Sequence, residues 1–312
     1  MTTQIKTPEA VLQAKGTFHL VKVKNKIAVT ILEWIMFILI FFGGAIAASF
    51  ANSFVLGFYA EANGLTFQEA ETSTWALPLD LISRVVMTIV TIVFCVVYQK
   101  RKMITLGFTK DNIIPQYLLG LLAGAGIFTA AVALAAVTGA LSIKVSSAPI
   151  DITLYLVLIL GWIIQGMSEE VICRGFFLVS LSRKLPVAAA VVLSSLAFAS
   201  IHLLNAGISV LAFINLTLFG IFASVVFLRT GNIWLVSALH SVWNFAQGNF
   251  FGILVSGNDF GPTVLSTTFN ASKTLINGGD FGLEGGLAVT TVLVVGTLLV
   301  LFVPSNKDGK AE

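Results

Sequence analysis

The sequence is poor in charge: 11% of its 312 residues are Asp, Glu, Lys or Arg, against 57% hydrophobic. A soluble domain carries about a quarter charged residues, and a mean hydropathy of +0.95 points the same way, so a water-soluble fold is excluded. Cysteine is limited to Cys95 and Cys173, both in apolar segments. Two such residues exclude a disulfide framework and leave the redox compartment open. Concentrated basic charge is missing too: the formal net charge of +3 is spread over loops and builds no basic face, which excludes nucleic acid as a partner. Period-2 alternation is absent, which excludes a transmembrane β-barrel.

Long apolar runs are what the sequence has. A span needs about 20 mostly apolar residues to cross a hydrocarbon core of about 30 Å. By that rule the chain divides into about eight spans: Ile27 to Ala60, Ala76 to Gln99, Ile113 to Ile143, Ile152 to Leu181, Pro186 to Asn205, Ile208 to Leu228, Ile233 to Val255, and Leu287 to Val303. The fold class expected is an all-α polytopic membrane protein. An even number of spans puts both termini on one side. Lys6, Lys15, Lys22, Lys24, Lys26, Lys100, Arg101, Lys102, Lys110, Arg183, Lys184, Arg229, Lys307 and Lys310 fall on that side, and only Lys144 and Lys273 fall opposite. That asymmetry predicts cytoplasmic termini. The lysines ahead of the first span come without a small-residue cleavage site, which reads as an uncleaved anchor. The stretch from Gly257 to Gly286, rich in Gly, Asn, Ser and Thr, reads as an irregular extracytoplasmic loop.

An ionisable group at the bilayer centre costs about 2.5 to 3.5 kcal/mol on insertion scales, so each needs a reason. Here they cluster. The fourth span holds Ser168-Glu169-Glu170-Val171-Ile172-Cys173-Arg174, the fifth holds Phe198-Ala199-Ser200-Ile201-His202, and the seventh holds His240-Ser241-Val242-Trp243-Asn244. Residues four apart share a helix face. Glu170 therefore faces Arg174 as an intrahelical ion pair, which leaves Glu169 without an in-helix partner. A role in packing alone explains the pair well and Glu169 poorly. His202 by itself reads as readily as a packing histidine, and His240 with Asn244 as an interhelical hydrogen-bonding pair. At 1.5 Å per residue from the cytoplasmic span ends, Glu169 lies about 21 Å deep, His202 about 24 Å, and His240 and Asn244 about 12 and 18 Å. Those depths permit one shared site.

Glu-Glu-x-x-x-Arg, then Phe-x-x-x-His, then His-x-x-x-Asn, each on its own hydrophobic segment and in that order, resembles the CPBP family of intramembrane proteases. That family includes type II CAAX prenyl endopeptidases and bacterial bacteriocin-processing and self-immunity proteins. The resemblance covers Ile152 to Phe250. It implies a hydrolase in which Glu169 and His202 activate water, His240 and Asn244 stabilise the oxyanion, Glu170 and Arg174 form the supporting pair, and Phe198 packs the motif. Chemistry supports those roles independently: a buried carboxylate suits a general base for water, and donors four apart on one face can meet a developing oxyanion. The chain then divides into a cytoplasmic tail (1–26), accessory transmembrane helices 1 to 3 (27–150), a catalytic core of helices 4 to 7 (151–256), an extracytoplasmic loop (257–286), and the last helix with its tail (287–312).

Glutamate-activated water is the favoured chemistry, with no cofactor. The alternative is Zn2+ held by Glu169, His202 and His240 with an open fourth position, although no His-Glu-x-x-His run is present. A Gly-x-Ser-x-Gly elbow and a pair of intramembrane aspartates are also missing, which argues against serine and aspartyl intramembrane proteases. Two readings from other classes compete. A proton-coupled transporter draws on Glu33, Asp80 and Arg84, but Glu33 and Asp80 lie near span ends where snorkelling to water is cheap; a non-enzymatic immunity or scaffold protein has no need of four buried polar groups. The expected partners are the lipid bilayer and a peptide or membrane-protein substrate. Short tails without targeting extensions suit a multi-pass protein of a bacterial plasma membrane.

Overall fold

The computed structural model describes residues 25–302. The orientation argument's Lys6, Lys15, Lys22, Lys24, Lys307 and Lys310 therefore lie outside the described residues. What is described is mostly helical, in chain order α1 (Lys26–Asn63), α2 (Ala76–Tyr98), α3 (Ile113–Val137), α4 (Ile152–Ser182), α5 (Val187–Ser200), α6 (Val210–Thr230), α7 (Ile233–Phe245) and α8 (Leu287–Phe302). Five of these, α1 to α4 and α6, are long and apolar enough to cross a membrane. The helices begin where a polar side chain satisfies free backbone N–H groups. Asp151 accepts from Leu154 N at the start of α4, Ser209 from Ala212 N at the start of α6, and Asn232 from both Trp234 N and Leu235 N at the start of α7.

Several span limits read from the sequence are corrected. The third run ends its helix at Val137, and Ile143 sits in strand β1 (Leu141–Val145), because Gly139 turns the chain in the left-handed region. β1 pairs antiparallel with β2 (Leu265–Phe269), Leu141 opposite Phe269 and Val145 opposite Leu265. The loop expected to be irregular thus carries a strand and several short helical turns. The fifth helix stops at Ser200, so His202 lies in the turn beyond it. The seventh ends its α-helical part at Phe245 and takes a π turn to Phe250 rather than running to Val255.

Two close approaches bring the motif helices together. A side chain at Gly166 on α4 would come within 2.4 Å of Ser241 Oγ on α7, and one at Gly220 on α6 within 2.7 Å of Ser195 Cβ on α5. Glycine lets the backbones meet where apolar attraction alone gives no preference in lipid. Around these contacts a continuous apolar core includes Phe176, Phe198, Phe219, Phe222 and Trp243.

α4 changes pitch at the site. It is α-helical through Glu170 and π-helical over Val171–Leu178, a distortion found mostly as single-turn bulges and frequently at functional sites. Arg101, buried outside the spans, donates to the carbonyls of Gly175 (2.7 Å) and Phe176 (3.4 Å) within that segment and to Thr105 O (2.8 Å). Desolvation lowers its pKa from the usual arginine value. Glu33 of α1 is bound to Arg183 just past α4. It is 3% exposed, so the snorkelling expected for it is overturned: it is held by a cation, not by water.

Candidate active site

Glu169, His202, His240 and Asn244 all line one cavity of about 200 Å³, together with Phe198, which the sequence also singled out. Glu170 and Arg174 lie behind its wall, fully buried. The cavity reaches beyond the motif helices: Asp80 and Arg84 of α2 and Ser256 and Glu284 of the segment between α7 and α8 also line it.

Glu170 is the hub of the buried layer. Its Oε1 accepts from Arg174 Nη1 at 2.8 Å and from His240 Nδ1 at 2.8 Å. The pair seen in the sequence as self-neutralising within one helix therefore also clamps a histidine of another. Arg174 donates further to Gly220 O at 3.2 Å and sits 4.7 Å from the centre of the Phe198 ring. A carboxylate paired with arginine accepts only, so His240 Nδ1 carries the proton in that bond. Its Nε2 then faces Glu169 Oε2 at 3.7 Å, close enough for attraction and too long for a direct hydrogen bond. Phe219, at 4.9 Å between ring centres, packs edge-on against the imidazole.

Glu169 is 16% exposed at its side chain and has an in-helix partner after all, contrary to the expectation from charge alone. Gln165 Nε2, four residues earlier, donates to Glu169 Oε1 at 2.7 Å, and Gln165 Oε1 accepts from Asn244 Nδ2 at 2.9 Å. Glu169 Oε2 is buried with no hydrogen-bond partner among the described protein groups. His202 Nδ1 donates to Phe198 O at 2.9 Å. A carbonyl can only accept, so Nε2 of the neutral ring is free to accept in the cavity.

Among the described residues no three His, Cys, Asp or Glu side chains form a group that would hold a metal ion. Glu169, His202 and His240 share the cavity without grouping as three ligands. The sequence reading missed Gln165 and Glu284. Gln165 had a signal: it is an amide inside an apolar run, one helical turn before Glu169. Glu284 had none. It reaches the cavity because the segment between α7 and α8 folds back, where its carboxylate accepts from Trp243 Nε1 (3.1 Å) and from Ser256 N and Oγ (both 2.8 Å). Asp80 and Arg84 form an ion pair at 2.8 Å, each about a third exposed.

No curated protein and no solved structure matches the chain. Residues 151–246 match the family described as type II CAAX prenyl endopeptidase Rce1-like. The matched stretch runs from the start of α4 to the end of α7 and contains all three motifs, with α1 to α3 and α8 outside it. Over residues 151–246, then, this chain, with five helices long and apolar enough to cross a membrane, is similar to the type II CAAX prenyl endopeptidases.

Proposed function

We propose that the protein is an intramembrane endopeptidase that hydrolyses a peptide bond of a membrane-associated peptide or protein. About eight helices cross the bilayer, the termini face the cytoplasm, and the cavity among α4, α5 and α7 admits water and substrate. The observation that carries this reading is the unpartnered Oε2 of Glu169, turned toward His240 in a cavity that His202 and Asn244 also line. An ionised carboxylate oxygen left without a donor in a polar cavity is a place for a water molecule and a base to deprotonate it.

In the proposed reaction Glu169 Oε2 takes a proton from water as the water oxygen bonds to the scissile carbonyl carbon. His202 Nε2 holds the water from its other side. The carbonyl π electrons move onto oxygen, and the oxyanion accepts from Asn244 Nδ2. His240 contributes a second donor at Nε2 as imidazolium, because its other proton is held by Glu170. Collapse of the tetrahedral species breaks the C–N bond, and the proton taken from water passes from Glu169 or through His202 to the leaving amine. Nothing is oxidised or reduced, and the products are one carboxylate and one amine. The family's description, a CAAX prenyl endopeptidase, also suggests a prenylated CAAX substrate; a bacteriocin leader or membrane protein fits the same chemistry.

The test is cleavage of a quenched peptide library by the purified chain in liposomes, with and without chelator, against Glu169→Ala. Cleavage by the wild type that is lost in Glu169→Ala at unchanged melting temperature supports the reading. Equal cleavage by both sinks it, and inhibition by chelator would overturn metal-free water activation.

A further inference from the structure

Gln165 joins two groups that the proposed chemistry uses. It lies one turn before Glu169 on α4 and faces Asn244 across the gap to α7. Its two amide atoms are committed in opposite senses: Nε2 donates to Glu169 Oε1 at 2.7 Å and Oε1 accepts from Asn244 Nδ2 at 2.9 Å. The direction of this chain is set by chemistry. An ionised carboxylate accepts and never donates, so Gln165 must turn Nε2 toward Glu169. That leaves its carbonyl oxygen facing Asn244, which must answer with Nδ2, since Oδ1 there would set two acceptors against each other. One N–H of Asn244 is thereby fixed, and the planar amide aims the second.

From this geometry we infer that Gln165 is a positioning residue: it passes the acceptor-only character of Glu169 on to Asn244, so that the base and the oxyanion donor are aligned as one unit. The inference rests on the peptidase reading. Gln165 acts through Asn244 and Glu169 without touching the reacting atoms. It also engages Glu169 Oε1, while Oε2 has no partner among the described protein groups and lies 3.7 Å from His240 Nε2. A role in helix packing alone would not require both amide atoms to be engaged, or their partners to be these two residues.

The test is a double-mutant cycle on the full chain in liposomes, with Gln165→Met, Asn244→Ala and both together, assayed on a peptide that the wild type cleaves in a Glu169-dependent manner. Methionine keeps the length of the side chain and suits a membrane helix; Gln165→Leu serves if it fails to fold. Losing one oxyanion donor costs about 10²- to 10³-fold in kcat, and misalignment costs up to about 10²-fold. Gln165→Met is therefore expected to lower kcat about 10- to 100-fold, with KM changed less than about threefold. In the Asn244→Ala background it should remove markedly less, because no amide remains to be aimed. Wild-type kcat in Gln165→Met, or losses that multiply fully in the double mutant, would overturn the inference while leaving the peptidase reading intact. The infrared carboxylate band assigned to Glu169, by subtraction of Glu169→Gln, needs no substrate. It should shift in Gln165→Met, and an unmoved band would refute the inference even if no peptide were cleaved.

Discussion

Two buried charge clusters sit at opposite ends of the π-helical stretch of α4, and they are built differently. At its start, Glu170 holds both Arg174 and His240, and Glu169 is left with an oxygen that no described protein group satisfies. Beside and after it, Arg101 is spent on backbone carbonyls and Arg183 on Glu33. The first cluster borders a cavity; of the second, neither Arg101, Arg183 nor Glu33 lines it. Oε2 of Glu33, Glu169 and Glu170 all lack a hydrogen-bond partner among the described protein groups, but only Glu169 lines the cavity, so only its open acceptor is placed beside space for a ligand. The same contrast separates the two halves of the chain. About half or more of the most apolar stretch is buried in α4 and α6, against about a third or less in α1 to α3, so the matched domain is the interior and the N-terminal helices are its outer wall.

The comparison can be broken first at Glu170. Glu170→Ala removes the shared partner of Arg174 and His240 and strands a buried cation, and losing one member of a buried pair costs about 3–5 kcal/mol. Melting in detergent should fall steeply and cleavage should fall with it; an unchanged melting temperature would show that the hub is not needed for packing. Glu169→Ala sharpens the contrast, because it gives up one hydrogen bond, from Gln165, together with a buried oxygen that has no partner among the described protein groups. Cleavage should drop about 10²- to 10⁴-fold, the range for a general base, at a melting temperature close to the wild type.

Smaller effects are expected at the fastening end. Arg101→Met leaves the carbonyls of Gly175 and Phe176 without that donor, at a cost of about 1–3 kcal/mol. Thermal stability should fall, and kcat should change less than in Glu169→Ala; the reverse ranking would assign Arg101 to the chemistry. Arg84→Gln breaks a pair that is a third exposed to the cavity, and such pairs contribute about 0–1 kcal/mol. A melting temperature moved by no more than a degree or two is expected, and a collapse would place Arg84 among the fastening charges.

The motif residues were legible in the sequence because a charged or amide side chain in an apolar helix is conspicuous and because four-residue spacing fixes a shared face. Glu170 with Arg174, and His240 with Asn244, followed from that rule alone. Gln165 obeyed the same spacing and was overlooked because it carries no charge. Helix ends were less legible. Apolarity continues past Val137 into β1 and past Ser200 to His202, so hydropathy does not mark where backbone hydrogen bonding changes.

The sequence by itself determined a helical membrane chain with three polar motifs in order, since period and hydropathy are local properties. Tertiary structure alone decided that Glu170 serves His240 as well as Arg174, that Gln165 ties Glu169 to Asn244, and that Glu284 folds back to the cavity wall. Those contacts join residues on different helices and loops, 70, 79 and 41 positions apart in the chain for His240, Asn244 and Trp243. Their partners are chosen by how the helices pack around glycine contacts, which no local pattern of residues encodes.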